Sequence, residues 1–340
     1  MKISLGALLL ICIASSALAD TNAVGFKTST LANSDRPLEM VVWYPTASTA
    51  KPEVIGDNPI FASALAVSNA PPASGAHPLV VISHGYRGNW SNQTWLASAL
   101  AHQGYIVAAV NHPGSTTHDR SPQTAAQLWL RPADISRAID AVLAQPGQFG
   151  AVEKDRIAVA GHSLGGWTAL EIAGSRFDTE RFAKDCASHL KLASCNVYKT
   201  MNPASVPDAN AQLAADLSDK RVTAIVSLDL GLSRGMTDAS LAALPVPTLV
   251  IAAGVPSEDL PAQLESADLV KRLPPASTRY VEIADASHFS FVSICKPGAQ
   301  AMLEEDVAGD GIICTDGDGK RSREQIQQQV TDLITGFLKG

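Results

Sequence analysis

Residues 161–165 read Gly-His-Ser-Leu-Gly and directly follow an apolar run at 157–160. Residues 164–174, which begin within the motif and continue past it, have the composition of a helix. A strand, a sharp turn and a helix around a G-x-S-x-G pattern present a serine hydroxyl at the end of a buried strand. The turn strains the serine backbone, and the flanking positions need glycine because a side chain there would clash with the neighbouring strand and helix. The motif therefore predicts a nucleophilic serine, Ser163.

The remaining chain alternates between two kinds of segment. Apolar, strand-like segments lie at 38–44, 79–83, 105–110, 157–160, 222–228, 247–253 and 279–283. Helix-like segments lie between and after them, at 92–103, 132–144, 164–174, 261–272 and 322–338. Several of the strand-like segments are apolar at nearly every residue, as expected of strands buried on both faces. The alternation predicts an α/β fold with a mostly parallel sheet flanked by helices.

Three segments interrupt this alternation. Residues 46–75 are rich in Ala, Pro and Ser, and we expect a loop with little regular structure. Residues 176–220 follow the helix of the serine motif and are predicted to be an insertion or lid. Residues 295–321 end in a Gly- and Asp-rich stretch at 309–320, which resembles a calcium loop only loosely. Its acidic residues do not have the spacing of such a loop, so a solvated turn is the better interpretation.

The N-terminal residues 1–19 have the pattern of a secretory signal peptide. Lys2 precedes a short apolar run at 5–14, and Ala-Leu-Ala at 17–19 predicts cleavage before Asp20. The run is too short for a typical transmembrane helix, so we expect no stable membrane anchor. Residues 20–340 are predicted to form a single domain that is periplasmic or secreted.

Four cysteines follow the predicted signal peptide: Cys186, Cys195, Cys295 and Cys314. An even number of cysteines in an exported chain predicts disulfide bonds. The pairs Cys186–Cys195 and Cys295–Cys314 are favoured, because the members of each lie within one irregular segment.

Charge and composition also bear on possible partners. The formal net charge is −7 and the chain contains no basic run, which makes nucleic acid an unfavourable partner. No cysteine pair has the C-x-x-C spacing of a metal site. We therefore expect no cofactor and no metal. Nothing in the sequence indicates an oligomeric state.

A serine nucleophile needs a base to take its proton, and the base needs an acid to orient it. Only His189 and His288 follow Ser163, and His288 lies after the last predicted strand, where a base on a loop is needed. Asp229 directly follows the strand at 222–228 and is the favoured acid, because sites form at this edge of a parallel sheet. The alternative acids lie in later loops: Glu258, Asp259 and Asp285.

Hydrolysis through a tetrahedral intermediate also needs donors for its oxyanion. One is the backbone N–H of Leu164, the residue after the predicted nucleophile. The other should lie in the loop at 83–89, which reads Ser-His-Gly-Tyr-Arg-Gly-Asn, and Tyr86 is the predicted donor. His84 is interpreted as an orienting or packing residue.

Five short motifs support the same reading: Val-Trp-Tyr-Pro at 42–45, Ser-His-Gly at 83–85, Gly-His-Ser-Leu-Gly-Gly at 161–166, Leu-Asp at 228–229 and Ser-His-Phe at 287–289. Together they resemble platelet-activating factor acetylhydrolase-like proteins, whose bacterial members are often described as predicted dienelactone hydrolases. The resemblance implies an α/β-hydrolase fold and metal-independent hydrolysis of carboxylic esters. It also implies that the acid follows the next strand after the serine helix, which favours Asp229.

The sequence thus predicts an exported serine esterase that acts on small-molecule or lipid esters, of the short-chain or phospholipid type. Polyester hydrolysis, amide hydrolysis and acyl transfer are alternatives, because all of them pass through the same acyl-enzyme. A non-catalytic binding protein on the same fold is another alternative. It predicts that the nucleophile or the base is missing, and both are present.

Overall fold

The computed structural model describes residues 23–32 and 35–340, and the predicted signal peptide at 1–19 lies outside the described residues. This part of the chain forms one ten-stranded sheet. Its strands are β1 (Ala23–Leu31), β2 (Leu38–Thr46), β3 (Glu53–Ile55), β4 (Ala64–Ser68), β5 (Ala76–Ser83), β6 (Ile106–Asn111), β7 (Ala151–His162), β8 (Ala224–Leu228), β9 (Thr248–Ala253) and β10 (Thr278–Ile283).

The strands lie across the sheet in the order β10-β9-β8-β7-β5-β6-β2-β1-β4-β3. The first six strands of this order, which end with β6, pair with their neighbours in parallel. β2 is antiparallel to both β1 and β6, and β3 is antiparallel to β4. The predicted mostly parallel sheet is confirmed, and its antiparallel part comes from the N-terminal strands.

Helices cover both faces of the sheet. In the described residues the α-helices are α1 (Thr94–His102), α2 (Pro122–Ala125), α3 (Leu130–Ala144), α4 (Pro146–Phe149), α5 (Leu164–Ala173), α6 (Thr179–Ser188), α7 (Ala193–Met201), α8 (Ala209–Ala214), α9 (Asp238–Ala242), α10 (Ser266–Arg272), α11 (Ala299–Asp306) and α12 (Arg323–Lys339). Short 3-10 helices occur at Trp90–Gln93, Pro203–Ser205, Ser233–Gly235, His288–Phe291 and Asp310–Cys314. None of the helices described is both long and apolar enough to cross a membrane.

The apolar strands are buried on both faces because alternate side chains enter two separate cores. Val80 of β5 packs in one core with Leu100 of α1, and α12 also contributes to this core. Val81 lies in the opposite core with Trp167 of α5, and α3 contributes there. The helix of the serine motif therefore packs directly against the centre of the parallel sheet.

The N-terminal region is more regular than predicted. Residues 46–75, expected to be irregular, contain β3 and β4, and β4 pairs with β1. The sequence pattern missed β1, because the strand continues as Lys-Thr-Ser-Thr after Phe26 and these residues are partly or fully exposed. Pairing with β2 along all nine residues holds β1 in the sheet. The helix predicted at 261–272 begins only at Ser266, after a series of turns.

Both predicted disulfide pairings are present. Cys186 is bonded to Cys195, which joins α6 to α7 within the predicted insertion at 176–220. Cys295 is bonded to Cys314 across the second irregular segment. The treatment of residues 20–340 as one domain with an insertion stays a prediction.

A buried cation attaches the insertion to the rest of the molecule. Arg234 is 7% exposed and forms ion pairs with Glu265, at 2.6 Å, and with Asp185 of α6. The first residue of α7, Ala193, donates its backbone N–H to the Asp259 carbonyl oxygen at 2.7 Å. These contacts hold α6 and α7 beside the loop that follows β9.

Candidate active site

Ser163 lies at the turn between β7 and α5. Its φ of 55° and ψ of −119° fall in a region that residues other than glycine rarely adopt. A Cβ atom at Gly161 would overlap the carbonyl oxygen of Gly165, and one at Gly165 would overlap the carbonyl oxygen of Ser83. The turn can therefore form only because both flanking residues are glycine.

His288 follows β10, and its ring is bound to Asp229, the residue directly after β8. Nδ1 of His288 lies 2.7 Å from one carboxylate oxygen of Asp229. The other carboxylate oxygen accepts a hydrogen bond of 2.9 Å from the backbone N–H of Ala253. Asp229 is 3% exposed, so its carboxylate is held in a fixed position. Because Nδ1 is bound to Asp229, Nε2 of His288 is the ring nitrogen that remains to accept the hydroxyl proton of Ser163. Ser163 lines the same cavity as His288.

The other carboxylates considered as acids are arranged differently. Asp285 forms hydrogen bonds with the guanidinium of Arg321, one of them at 2.7 Å. Asp259 accepts a hydrogen bond from the hydroxyl of its neighbour Ser257. Glu258 and Asp259 both line the cavity. Of the four candidates, the structure brings Asp229 to the predicted base.

His162, directly before the serine, supports the base. Its ring packs on the ring of His288 with 4.5 Å between their centroids, and its Nε2 lies 2.9 Å from the His288 carbonyl oxygen. A carbonyl group only accepts, so the proton of His162 is on Nε2. Burial and the nearby His288 lower the pKa of His162 well below its usual value, which keeps the ring neutral. The sequence pattern assigned no role to this residue, and its place inside the serine motif was the available signal.

The two residues predicted to supply the oxyanion donors line the same cavity as Ser163. Leu164 is the first residue of α5, so its N–H has no partner within the helix. Tyr86 lies in the loop after β5, and both residues line the cavity with Ser163. That loop approaches the serine closely, since a Cβ added to Gly85 would lie 3.2 Å from Cβ of Ser163. The role of both N–H groups as oxyanion donors stays a prediction.

The site opens into a cavity of about 1070 Å³. Its walls come from residues 56–61, 85–92, 255–260 and 303–317, and from the insertion. The apolar side chains on these walls include Ile60, Phe61, Val197, Phe289, Leu303, Ile312 and Ile313. Besides Asp229, the lining carboxylates are Glu39, Asp57, Glu258, Asp259, Asp306 and Asp310, whereas the lining arginines are Arg87 and Arg120. The cavity therefore combines apolar walls with a negative charge.

Two carboxylates in the turn at 309–320 are paired with cationic side chains of the same chain. Asp316 forms an ion pair with Arg323, and Asp318 forms one with Lys320. Within the residues that the structure describes, one group of side chains has the proximity of a metal site: Asp185, Cys186 and Cys195. Its two cysteines form a disulfide, so they offer no thiolate to a metal.

Acid is expected to destabilise the protein through three buried histidines: His84, His112 and His162. Burial lowers their pKa values, to about 3 for His112 and well below the usual 6.5 for the other two. Below about pH 6.5 the unfolded chain binds protons at these positions and the folded chain does not, so stability is complete above this pH and falls with acidification. Each histidine should lower the free energy of unfolding by about 2 kcal/mol between pH 7.5 and pH 5. Urea unfolding at both pH values checks this, and equal midpoints would contradict it.

Comparisons with known proteins match the region around the serine. Residues 61–187 match a family model described as PET hydrolase-like. Cutinase est1 of Thermobifida alba is 32% identical over 110 residues, which is 32% of this chain and 34% of the cutinase. Bis(hydroxyethyl) terephthalate hydrolase of Streptomyces coelicolor is 32% identical over 104 residues, 31% of this chain and 31% of the relative. The matches thus span about a third of the length of these relatives.

Structural likeness extends over nearly the whole chain. The structure of a ferulic acid esterase from Streptomyces cinnamoneus is similar with a TM-score of 0.63 and 20% sequence identity. The match covers 96% of this chain and 91% of the esterase, which shows a common fold. The family match at 61–187 contains both the loop of Tyr86 and the turn of Ser163. The fold and these matches confirm the superfamily expected from the motifs, and the chain belongs to the α/β-hydrolase superfamily.

Proposed function

We propose that this protein is a serine carboxylester hydrolase with Ser163 as nucleophile, His288 as base and Asp229 as the acid that orients the base. The observation that carries the proposal is the 2.7 Å contact between His288 and Asp229 at the cavity that Ser163 lines. A strained serine at a strand-to-helix turn and a histidine held by a buried carboxylate are the two parts that acyl transfer needs.

The reaction would proceed in two steps through an acyl-enzyme. Ser163 attacks the ester carbonyl carbon while Nε2 of His288 takes the hydroxyl proton and then delivers it to the leaving alcohol. His288 then takes a proton from water as the water oxygen attacks the acyl-enzyme, and it returns this proton to Ser163 when the bond to the serine breaks and the carboxylic acid leaves. In the structure Nδ1 of His288 is bound to Asp229, which leaves Nε2 for the Ser163 hydroxyl, and a serine–histidine contact of this kind often tightens only when substrate binds.

The N–H groups of Leu164 and Tyr86 would stabilise the negative oxygen of each tetrahedral intermediate. They come from the start of a helix and from a loop beside the nucleophile, so they are in place before the reaction begins. One donor of this kind typically contributes about 2.7–4 kcal/mol to the lowering of the barrier. Asp229 would hold Nδ1–H of His288 and stabilise the imidazolium that forms.

The substrate class we propose is short-chain carboxylic esters with a neutral alcohol. The cavity volume of about 1070 Å³ is slightly above the usual range of pockets for small molecules, so a small ester fits it with room to spare. Its lining carboxylates outnumber its arginines, which disfavours the phosphate of a phospholipid head group. Polyester is the second candidate, because residues 61–187 match the PET hydrolase-like model.

Export from the cytoplasm is part of the proposal. Both disulfides lie in a chain whose first 19 residues have the pattern of a signal peptide. Disulfides persist in oxidising compartments and are rare in the cytosol. We propose that the protein works in a periplasm or outside the cell.

A substrate panel tests the proposed function. Purified, oxidised protein is assayed with nitrophenyl esters of graded chain length, a soluble terephthalate diester, a polyester film and a phospholipid. We expect the fastest turnover with the shortest acyl chains, together with one covalent adduct per chain from a fluorophosphonate probe. Turnover of the film above that of every soluble ester would favour the polyester candidate. Absence of both turnover and labelling would leave a non-catalytic binding protein.

A further inference from the structure

We propose that Arg131 is a positioning residue that holds the two oxyanion donors, the N–H groups of Tyr86 and Leu164, at a fixed separation beside Ser163. The inference rests on the proposed function, because these groups act only if Ser163 forms a tetrahedral intermediate. Arg131 is not among the residues that line the cavity, so its effect would pass through the elements it contacts.

The contacts of Arg131 show an arginine held by uncharged acceptors. Its side chain leaves the start of α3 and is 2% exposed. Its guanidinium donates to the hydroxyls of Thr168 at 3.0 Å, Ser115 at 2.9 Å and Ser83 at 3.2 Å, and to the carbonyl oxygen of His84. A buried cation is costly unless its donors are satisfied, and a planar fork can satisfy several acceptors in fixed directions.

One arm of this network reaches the helix of the nucleophile. Thr168 lies one turn after Leu164 in α5. Its hydroxyl accepts the Nε–H of Arg131 and donates to the Leu164 carbonyl oxygen at 3.0 Å. Arg131 is therefore linked through one hydroxyl to the turn of helix that presents the Leu164 N–H.

The other arm reaches the loop of Tyr86. His84 begins this loop, and its carbonyl oxygen accepts from Arg131. The ring nitrogen Nε2 of His84 accepts the backbone N–H of His112 at 3.0 Å, so Nδ1 carries the proton and donates to the Gly85 carbonyl oxygen at 2.7 Å. Two successive carbonyl groups directly before Tyr86 are thus fixed from the interior of the protein.

A buried serine–histidine–aspartate chain extends the network. Oγ of Ser83 lies 2.9 Å from Nε2 of His112, whose Nδ1 lies 3.0 Å from a carboxylate oxygen of Asp134. The three residues are at most 1% exposed and are not among those that line the cavity, so an ester cannot reach the Ser83 hydroxyl. Asp134 and Arg131 both belong to α3, so the chain returns to the helix from which it starts.

This arrangement has a kinetic consequence. The two donors lie on separate elements, the loop after β5 and the start of α5, and they stabilise an oxyanion only at about 2.7–3.1 Å from it. A change in their separation weakens binding of the transition state and leaves binding of the ester nearly unchanged. Loss of the Arg131 fork should therefore lower kcat and spare KM.

The experiment compares Arg131→Lys with the wild type. Lysine keeps the charge and loses the fork. We expect kcat to fall by about 10- to 100-fold, KM to stay within twofold, and affinity for a boronic acid that mimics the tetrahedral intermediate to fall with kcat/KM. The matched control is Arg221→Lys, since Arg221 also contacts α3, at the Ser136 carbonyl oxygen, but none of its acceptors lies in the loop of Tyr86 or in α5. This control should keep the wild-type kcat.

A second variant covers the case in which Arg131→Lys does not fold. Thr168→Val keeps the arginine and removes its link to Leu164, and we expect the same fall in kcat with an unchanged KM. Wild-type kcat in a folded variant of either kind, or a fall in kcat without weaker boronate binding, would overturn the inference. A wild-type protein that neither hydrolyses esters nor reacts with the fluorophosphonate would overturn the proposed function as well. An active wild type whose variants keep the wild-type kcat would overturn this inference alone.

Discussion

Replacing Ser163 with Ala is expected to lower kcat for a short-chain nitrophenyl ester by about 10⁵- to 10⁶-fold. Its hydroxyl oxygen is the atom that would form the acyl-enzyme, and the neighbouring base has no other serine at the turn to activate. The rate that remains should reflect binding and the oxyanion donors alone. Initial rates of the wild type and Ser163→Ala, purified in parallel, check this expectation.

The same substitution should leave the fold intact. Serine and alanine share the Cβ atom, so the strain of a φ of 55° is the same for both. Thermal unfolding should therefore give midpoints within about 2 °C of each other. Ser240→Ala, on α9 outside the cavity, serves as the control and should keep the wild-type rate. A natively folded Ser163→Ala with a tenth of the wild-type kcat would exclude Ser163 as nucleophile.

The parts of the fold that the sequence predicted correctly are those that depend on residues close together in the chain. Strands such as β9 are buried at every residue, so their apolar runs mark them without knowledge of their neighbours. The turn of Ser163 needs glycines at set positions, and its two flanking elements are adjacent in sequence. The disulfides were also local, because each closes a short loop. β1 was not predicted, because a polar strand at the antiparallel end of the sheet depends on its pairing with β2.

The parts of the site that sequence reasoning did not reach depend on long-range contacts. Four carboxylates were candidates for the acid, and the order of residues favoured Asp229 without excluding Asp259. The structure separates them, because the Asp229 carboxylate is bound to Nδ1 of His288 and accepts the N–H of Ala253 from the next strand. The role proposed for Arg131 could not be predicted from the sequence either, because the groups that accept its hydrogen bonds are spread over residues 83–168.

Asp229→Asn is expected to lower kcat by about 10⁴-fold with little change in KM. The amide can still accept the N–H of Ala253 through its oxygen, so the site should keep its shape. Its NH₂ group would then face Nδ1 of His288, which would have to accept instead of donate. That tautomer places the proton on Nε2, the nitrogen that must take the proton of Ser163, and the base is lost.

Two matched variants decide whether this loss is specific to Asp229. Asp259→Asn and Glu258→Gln remove the same charge from carboxylates that line the same cavity but are not bound to His288 in the structure. Each should keep kcat within about threefold of the wild type, because a lining charge acts on substrate binding rather than on proton transfer. A fall of 10³-fold or more in either variant, with Asp229→Asn near the wild type, would move the acid to the loop after β9. The free energy of unfolding in urea of all three variants should lie within about 1 kcal/mol of the wild-type value, so that kcat reports on the chemistry.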